Sequence, residues 1–181
     1  MSTLRINRAP VLALWAAVVA ERLGSHRDTA LTCGQAVAGM TAHAKGVRLG
    51  IYAPHEQRPH ETPPPTPPGA TGAVRTLALL GRNVAVVPTK DGLRAISKGE
   101  IAKPEAVDRY LASKFGAQLE PARAAMERLA ASMPADELDE QAFHLYERFR
   151  PEVPADERGW GAKGVLDLAK IETLARRPAR Q

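Results

Sequence analysis

Cysteine and aromatic residues are scarce in this chain. Cys33 is the only cysteine among 181 residues, so no intrachain disulfide can form. That usage fits a reducing compartment, and we expect a cytoplasmic protein. Aromatic residues make up 4% of the chain and hydrophobic residues 44%, so the core must be built mainly from alanine, leucine, valine and isoleucine. Cys33 lies among apolar residues at helical spacing, which predicts a buried and unreactive thiol.

The sequence also lacks an apolar run that could cross a bilayer, which needs about 20 residues. The run APVLALWAAVVA follows Arg5 and Arg8 and therefore imitates the start of a signal peptide. The residues ERLG continue the run with helical spacing, which favours an ordinary core helix. We predict a core helix and no membrane partner, with a cleaved signal as the alternative.

Sequence motifs of known catalytic sites are missing too. The chain contains no GxSxG, no HExxH, no paired CxxC and no dinucleotide-binding glycine pattern. The segment HEQRPHE, residues 55–61, has side chains that suit a metal, but its proline-rich setting argues against a preformed site. We therefore predict no catalytic residues, no cofactor and no metal.

Positive charge is what the chain has in excess, with a formal net charge of +5. Segments 1–55, 70–103 and 158–181 each carry +4, whereas segment 104–157 carries −6. Clustered positive charge attracts polyanions such as nucleic acid. The charge distribution thus predicts a nucleic-acid partner for the basic segments, and a protein partner for the acidic helices 104–150 as the alternative.

The hydrophobic periodicity predicts an α+β fold that is mostly helical. We expect an N-terminal αα-hairpin, a small antiparallel sheet of three to four strands, and a C-terminal cluster of about four helices. The predicted helices span residues 9–23, 26–44, 104–115, 119–133, 136–149 and 168–176. Ser25 and Asp167 are expected to cap the second and the last of these helices. Gly34 and Gly39 inside the second helix are expected to mark close packing against the first. The predicted strands span residues 74–80, 84–87 and 93–96, with a further short strand within 46–54.

The predicted elements form one body. Residues 1–54, a helical hairpin plus a short strand, are too few to bury a core alone and are expected to pack onto the remainder. Residues 55–70 are rich in proline and predict an extended polyproline II excursion. Residues 71–181 hold the strands of the meander and the C-terminal helices. The sequence leaves the oligomeric state open.

The junction of the first two helices, ERLGSHRDTAL, resembles the helix-turn-helix pattern of DNA-binding proteins. Gly24 supplies the turn and Ala20 the small residue that such a turn needs, whereas Ser25 departs from the buried apolar residue usual there. The resemblance implies nucleic-acid contacts from an exposed first turn of the second helix. The residues on that turn are His26, Arg27, Thr29 and Thr32. A purely structural αα-hairpin is the alternative.

Two further regions carry candidate nucleic-acid contacts. ERGWGAKGVLD, residues 157–167, precedes a helix, and Trp160 offers a stacking face while Lys163 offers a charge. A tight loop pinned to the core by Trp160 is the alternative for this region. LRAISKGEIAK, residues 93–103, presents Arg94 and Lys98 near a strand end, where they would contact phosphates or simply solvate the protein.

These observations favour a non-catalytic nucleic-acid-binding protein, DNA-binding or nucleoid-associated, that acts through basic surface segments. The first alternative is a protein-interaction or scaffold module that uses the acidic helices. The second is an enzyme with a dispersed site that binds a small phosphorylated ligand near Trp160.

Overall fold

The computed structural model describes residues 3–48, 66–97, 99–152 and 163–176, without the side chains of residues 42–48 and 97. These parts form a mostly helical α+β fold with two small antiparallel sheets, which confirms the predicted fold class. The elements in chain order are β1 (Thr3–Ile6), α1 (Arg8–Arg22), α2 (Arg27–Arg48), β2 (Arg75–Leu79), β3 (Arg82–Thr89), β4 (Gly92–Ser97), β5 (Glu100–Ile101), α3 (Pro104–Phe115), α4 (Leu119–Ala131), α5 (Ala135–Phe149), β6 (Gly164–Asp167) and α6 (Leu168–Arg176).

Helix α1 is the centre of the core. Every residue from Pro10 to Ala20 is buried, and α1 contacts α2, α3, α4 and α5. A helix that is apolar on all sides is stable in water only when other elements surround it. The indole Nε1 of Trp15 donates a 2.8 Å hydrogen bond to the carbonyl oxygen of Ala142 on α5, and its ring meets Phe149 edge-on with centroids 5.3 Å apart. The apolar run near the N-terminus is thus a core helix, as predicted.

The turn between α1 and α2 closes α1 with a glycine, as the sequence predicts. Gly24 has φ +114°, a conformation that favours glycine, and its N–H donates to the carbonyl of Glu21 at 3.0 Å. The N–H of Ser25 donates to the carbonyl of Ala20 at 2.9 Å. The two bonds form a Schellman motif, which satisfies carbonyls at the end of the helix.

The four-stranded sheet has the order β2-β3-β4-β5, with every pair antiparallel. It contains the predicted meander and one further short strand, β5. Strands β2 and β3 are joined by Leu80 (φ 50°) and Gly81 (φ 75°), the two positive φ values of a tight type I′ hairpin turn. Residues 66–70, the end of the predicted proline-rich excursion, return to this sheet, where Ala70 bridges to Thr89. Residues 55–65 of that excursion lie outside the described residues.

A second sheet was not predicted. Strand β1 pairs with β6 in antiparallel register from Thr3 opposite Asp167 to Ile6 opposite Gly164. Residues 164–167, part of the region 157–167 in which a loop was considered, are therefore a strand. Each of these strands has only four residues, too few for an alternating pattern to be recognised. Gly164 is needed here because a β-carbon would collide with the backbone of Glu152.

The short strand predicted within 46–54 is wrong where it can be compared. Residues 46–48 continue α2 as a helix, and residues 49–54 lie outside the described residues. Periodicity over so few residues does not separate a strand from a helix end. The four predicted C-terminal helices are all present, within two residues of the predicted ends.

Candidate nucleic-acid interface

The first turns of α2 pack against strand β4. The hydroxyl of Thr29 donates to the carbonyl oxygen of Leu93 at 2.7 Å. The hydroxyl of Thr32 accepts from the backbone N–H of Ala95 at 3.0 Å and donates to the carbonyl of Thr29 at 3.0 Å. The two threonines thus satisfy backbone groups of β4, and both are buried.

Burial corrects the prediction that Thr29 and Thr32 lie on an exposed turn. In a helix that reads a DNA groove these positions face the bases. Here the side chains face the sheet, because their hydroxyls are the partners that β4 needs for its own backbone. The structure of the α1–α2 pair is that of the alternative αα-hairpin.

Arg94, expected near the surface at a strand end, is also buried, with 7% of its area exposed. Its guanidinium donates to the carbonyl oxygens of Leu93 and Asp91 at 3.0 and 3.2 Å and lies 3.6 Å from a carboxylate oxygen of Asp28. A guanidinium that bonds to two carbonyl oxygens and pairs with a carboxylate of its own chain is a structural group. The expectation that Arg94 contacts phosphates from a solvated rim is therefore corrected.

Arg27 and His26 remain at the surface. The Arg27 guanidinium lies 3.5 Å from a carboxylate oxygen of Asp108 on α3, and 46% of its side chain is exposed. His26 is exposed and its Nδ1 accepts a hydrogen bond from the backbone N–H of Asp28 at 3.3 Å. His26 thus caps the start of α2, a role that was predicted for Ser25. Exposed ion pairs of this kind contribute about 0–1 kcal/mol, so Arg27 can exchange its partner for a phosphate at little cost.

Lys163 is exposed immediately before β6. The N-terminus of the following helix, α6, is already occupied, because a carboxylate oxygen of Asp167 accepts the N–H of Ala169 at 3.0 Å. The predicted cap is confirmed, and its negative charge disfavours an anion at the same place. Trp160 and Lys98, the two other sequence candidates, lie outside the described residues.

The three basic segments of the chain are carried by elements that neighbour one another. Strand β6 pairs with β1, β1 contacts α3, α3 contacts α2, and α2 contacts β4. Exposed basic residues lie on β1, α3 and α2 and directly before β6 and α3. We call them the basic band: Lys163, Arg5, Arg109, Lys114, Arg27 and Lys103.

Arg109 and Lys114 were missed in the sequence because they belong to the segment with net negative charge. They lie on the exposed side of α3, and the Lys114 ammonium sits 6.0 Å from the ring centroid of Tyr110. A segment's net charge says nothing about which face carries which sign. The helical positions of Val107 and Leu111, both buried, show which side of α3 faces outward.

Helix α5 has the opposite character. Its apolar side is buried against α1, while Asp136, Asp139, Glu140 and Glu147 are exposed. Arg148 is the exposed basic residue on the same helix. Among the described helices α5 carries the largest number of exposed carboxylates, and it is not part of the basic band.

The described parts of the chain were compared with the requirements of a metal site, a reactive thiol and a ligand cleft. No group of three metal-ligating side chains comes together there. The Cys33 thiol is fully buried, as predicted, and burial raises its pKa to about 11. A shallow cleft of about 220 Å³ between α1 and α4 is lined by Val18, Glu21, Arg22, Glu127 and Ala130.

Comparison with known proteins adds no family assignment. The chain has no significant match to a protein-family model, to a curated protein or to a solved structure. None of the described helices combines the length and hydropathy that a membrane crossing requires.

Proposed function

We propose that this protein binds nucleic acid non-catalytically, by contacts between the basic band and phosphates. The observation that carries the proposal is the unbroken series of contacting elements, β6–β1–α3–α2–β4, that links the three segments of +4 charge. Lys163 directly precedes β6 at one end of the series, and Lys103, the last residue of the segment 70–103, directly precedes α3 in its middle. Phosphates spaced along a strand are suited to such an extended row of cations.

The mode of binding follows from which candidates are buried. Thr29 and Thr32 on α2 bond to the backbone of β4, so the side of the helix that carries them is not available to a groove. Contacts to phosphate carry no sequence information directly. We therefore propose binding with little sequence preference, as an architectural or nucleoid-associated protein would have.

The test is a fluorescence anisotropy titration with duplex DNA, single-stranded DNA and RNA at 50 and 200 mM salt. If four phosphates are contacted, affinity for duplex DNA should fall about 100-fold between the two salt concentrations. Duplexes of unrelated sequence should bind within a few-fold of one another. Failure to bind any of the three at 50 mM salt would refute the proposal.

The exposed carboxylates of α5 favour protein interaction as a second candidate function. Asp136, Glu140 and Glu147 recur at helical spacing on the solvent side of the helix, where a basic partner would meet them. A pull-down with the Asp139→Lys/Glu140→Lys variant tests it against the wild type. A partner retained equally by both proteins would rule out this face, provided that circular dichroism shows the variant folded.

A further inference from the structure

Arg123 on α4 is a buried cation without a partner in the described parts of the chain. Only 5% of the residue is exposed, and its Nε and Nη1 atoms are buried with no hydrogen-bond acceptor. Arg94, the other arginine buried among the described residues, has two carbonyl acceptors and an aspartate. The contrast shows that this fold supplies acceptors to one buried guanidinium and not to the other.

An unpaired guanidinium is costly inside a protein. Arginine keeps its proton under all ordinary conditions, so it cannot escape the cost by becoming neutral. Each buried donor that lacks an acceptor has lost its hydrogen bonds to water without replacement, and this cost is larger when the group is charged. The site therefore gains free energy from any acceptor that reaches it.

The carboxylates within one helical turn of Arg123 do not serve as its partner. Glu127 lies one helical turn after Arg123, but it is exposed, lines the cleft between α1 and α4, and forms no ion pair with Arg123. Long helical side chains point back toward the N-terminus of their helix, which is away from Glu127 and toward Glu120. Glu120 is exposed too, and it does not pair with Arg123. The partner that fits must come from elsewhere.

We propose that Arg123 forms an anion-binding site that takes one oxyanion group, a phosphate or a carboxylate. The guanidinium is planar and permanently charged, and each of its edges presents donors that match the oxygens of such an anion. The small exposed fraction of Arg123 restricts the bound part to a single small group, whether that group is free or belongs to a larger ligand. Arg123 lies on α4, apart from the basic band, so the site does not depend on nucleic-acid binding.

The test compares the thermal unfolding of the full chain in sodium phosphate, sodium acetate and sodium chloride at equal ionic strength. At about ten times the Kd, the binding anion should raise Tm by about 3 °C or more above chloride. A rise in phosphate indicates a site for phosphate groups, and a rise in acetate indicates a site for carboxylates. The rise should vanish in Arg123→Met and persist in Arg128→Met, a matched control on the same helix whose exposed guanidinium pairs with Glu172 at 3.3 Å.

Equal Tm values in all three salts, or a rise that survives in Arg123→Met, would overturn the proposal. If Arg123→Met fails to fold, the wild-type chain still decides. In that case the Nε–H resonance of the Arg123 side chain is followed by nitrogen-15 NMR during a titration with inorganic phosphate and then with acetate. A saturable shift of that resonance with one of them supports the site, and no shift with either refutes it.

Discussion

Gly34 on α2 lies so close to α1 that a β-carbon on it would collide with the carbonyl oxygen of Ala13. The same β-carbon would lie 2.9 Å from the backbone nitrogen of Ala17. Backbone atoms cannot move aside as a flexible side chain can. The absence of a side chain at residue 34 therefore sets how closely the two helices of the hairpin approach.

Substitution of this glycine should separate the helices and weaken the core. We expect Gly34→Ala to lower the free energy of unfolding by about 1–3 kcal/mol, the usual cost of overpacking. Gly39, five residues later on the same helix, has open space within 4 Å of the position that a β-carbon would take. Gly39→Ala should instead stabilise the protein by about 0.5–1 kcal/mol through helix propensity. Urea unfolding of both variants checks the prediction, and equal effects of the same sign would contradict it.

These two glycines also show what the sequence could predict about packing. Close helix packing was expected at both positions, and the structure has it at Gly34 alone. The pattern of apolar residues fixes which side of α2 is inward, but the distance between two helices depends on the partner's position. That position is set by long-range contacts such as Trp15 with Ala142, which no local pattern encodes.

The candidate site was harder to predict than the fold, for a related reason. Helix ends and hairpin turns depend on neighbouring residues, so Gly24 and Asp167 could be assigned their roles from the sequence. Exposure of a polar side chain depends on what folds over it. Thr29 and Arg94 read as surface residues, and only the approach of α2 to β4 makes them internal partners.

The hydroxyl of Thr32 should be important for holding α2 on the sheet. Thr32→Val keeps the shape of the side chain but leaves the backbone N–H of Ala95 buried without an acceptor. We expect a loss of about 1–3 kcal/mol in the free energy of unfolding. Thr173→Val is the matched control, because the Thr173 hydroxyl is exposed and bonds only within α6. Denaturant unfolding should show a change of less than about 0.5 kcal/mol for that control.

Alkaline pH should destabilise the protein through Cys33. Burial raises the pKa of its thiol from 9.0 to about 11, so between these values the unfolded chain has lost a proton that the folded chain retains. Stability therefore falls as pH rises from about 9 to 11, by at most about 1.4 kcal/mol per pH unit from this group. Burial of Tyr146, which raises its pKa to about 12, extends the fall to higher pH.

The contribution of the thiol can be separated by substitution. Cys33→Ala should show a shallower decline than the wild type when urea unfolding is measured at pH 8, 9, 10 and 11. At pH 8 a thiol reagent should modify the wild type only after urea has unfolded it, because the thiol is buried and protonated. Parallel declines in the two proteins would show that Cys33 does not contribute.

The basic band can be mapped by reversing charge on α3. Arg109→Glu/Lys114→Glu exchanges two exposed cations at the middle of the band, whereas Arg148→Glu changes an exposed cation on the acidic helix α5. Because each phosphate contact contributes about 0.9 to the slope of log affinity against log salt, loss of two contacts should reduce that slope by about 2. We expect the double variant to bind duplex DNA more than tenfold more weakly at 50 mM salt, and Arg148→Glu to bind nearly as well as the wild type.

Since reversal also adds repulsion, Arg109→Gln/Lys114→Gln serves as the neutral version and should give the same change in slope with a smaller loss of affinity. If Arg148→Glu weakened binding as much as the double variant, attraction would depend on net charge alone and the band would not be the binding surface.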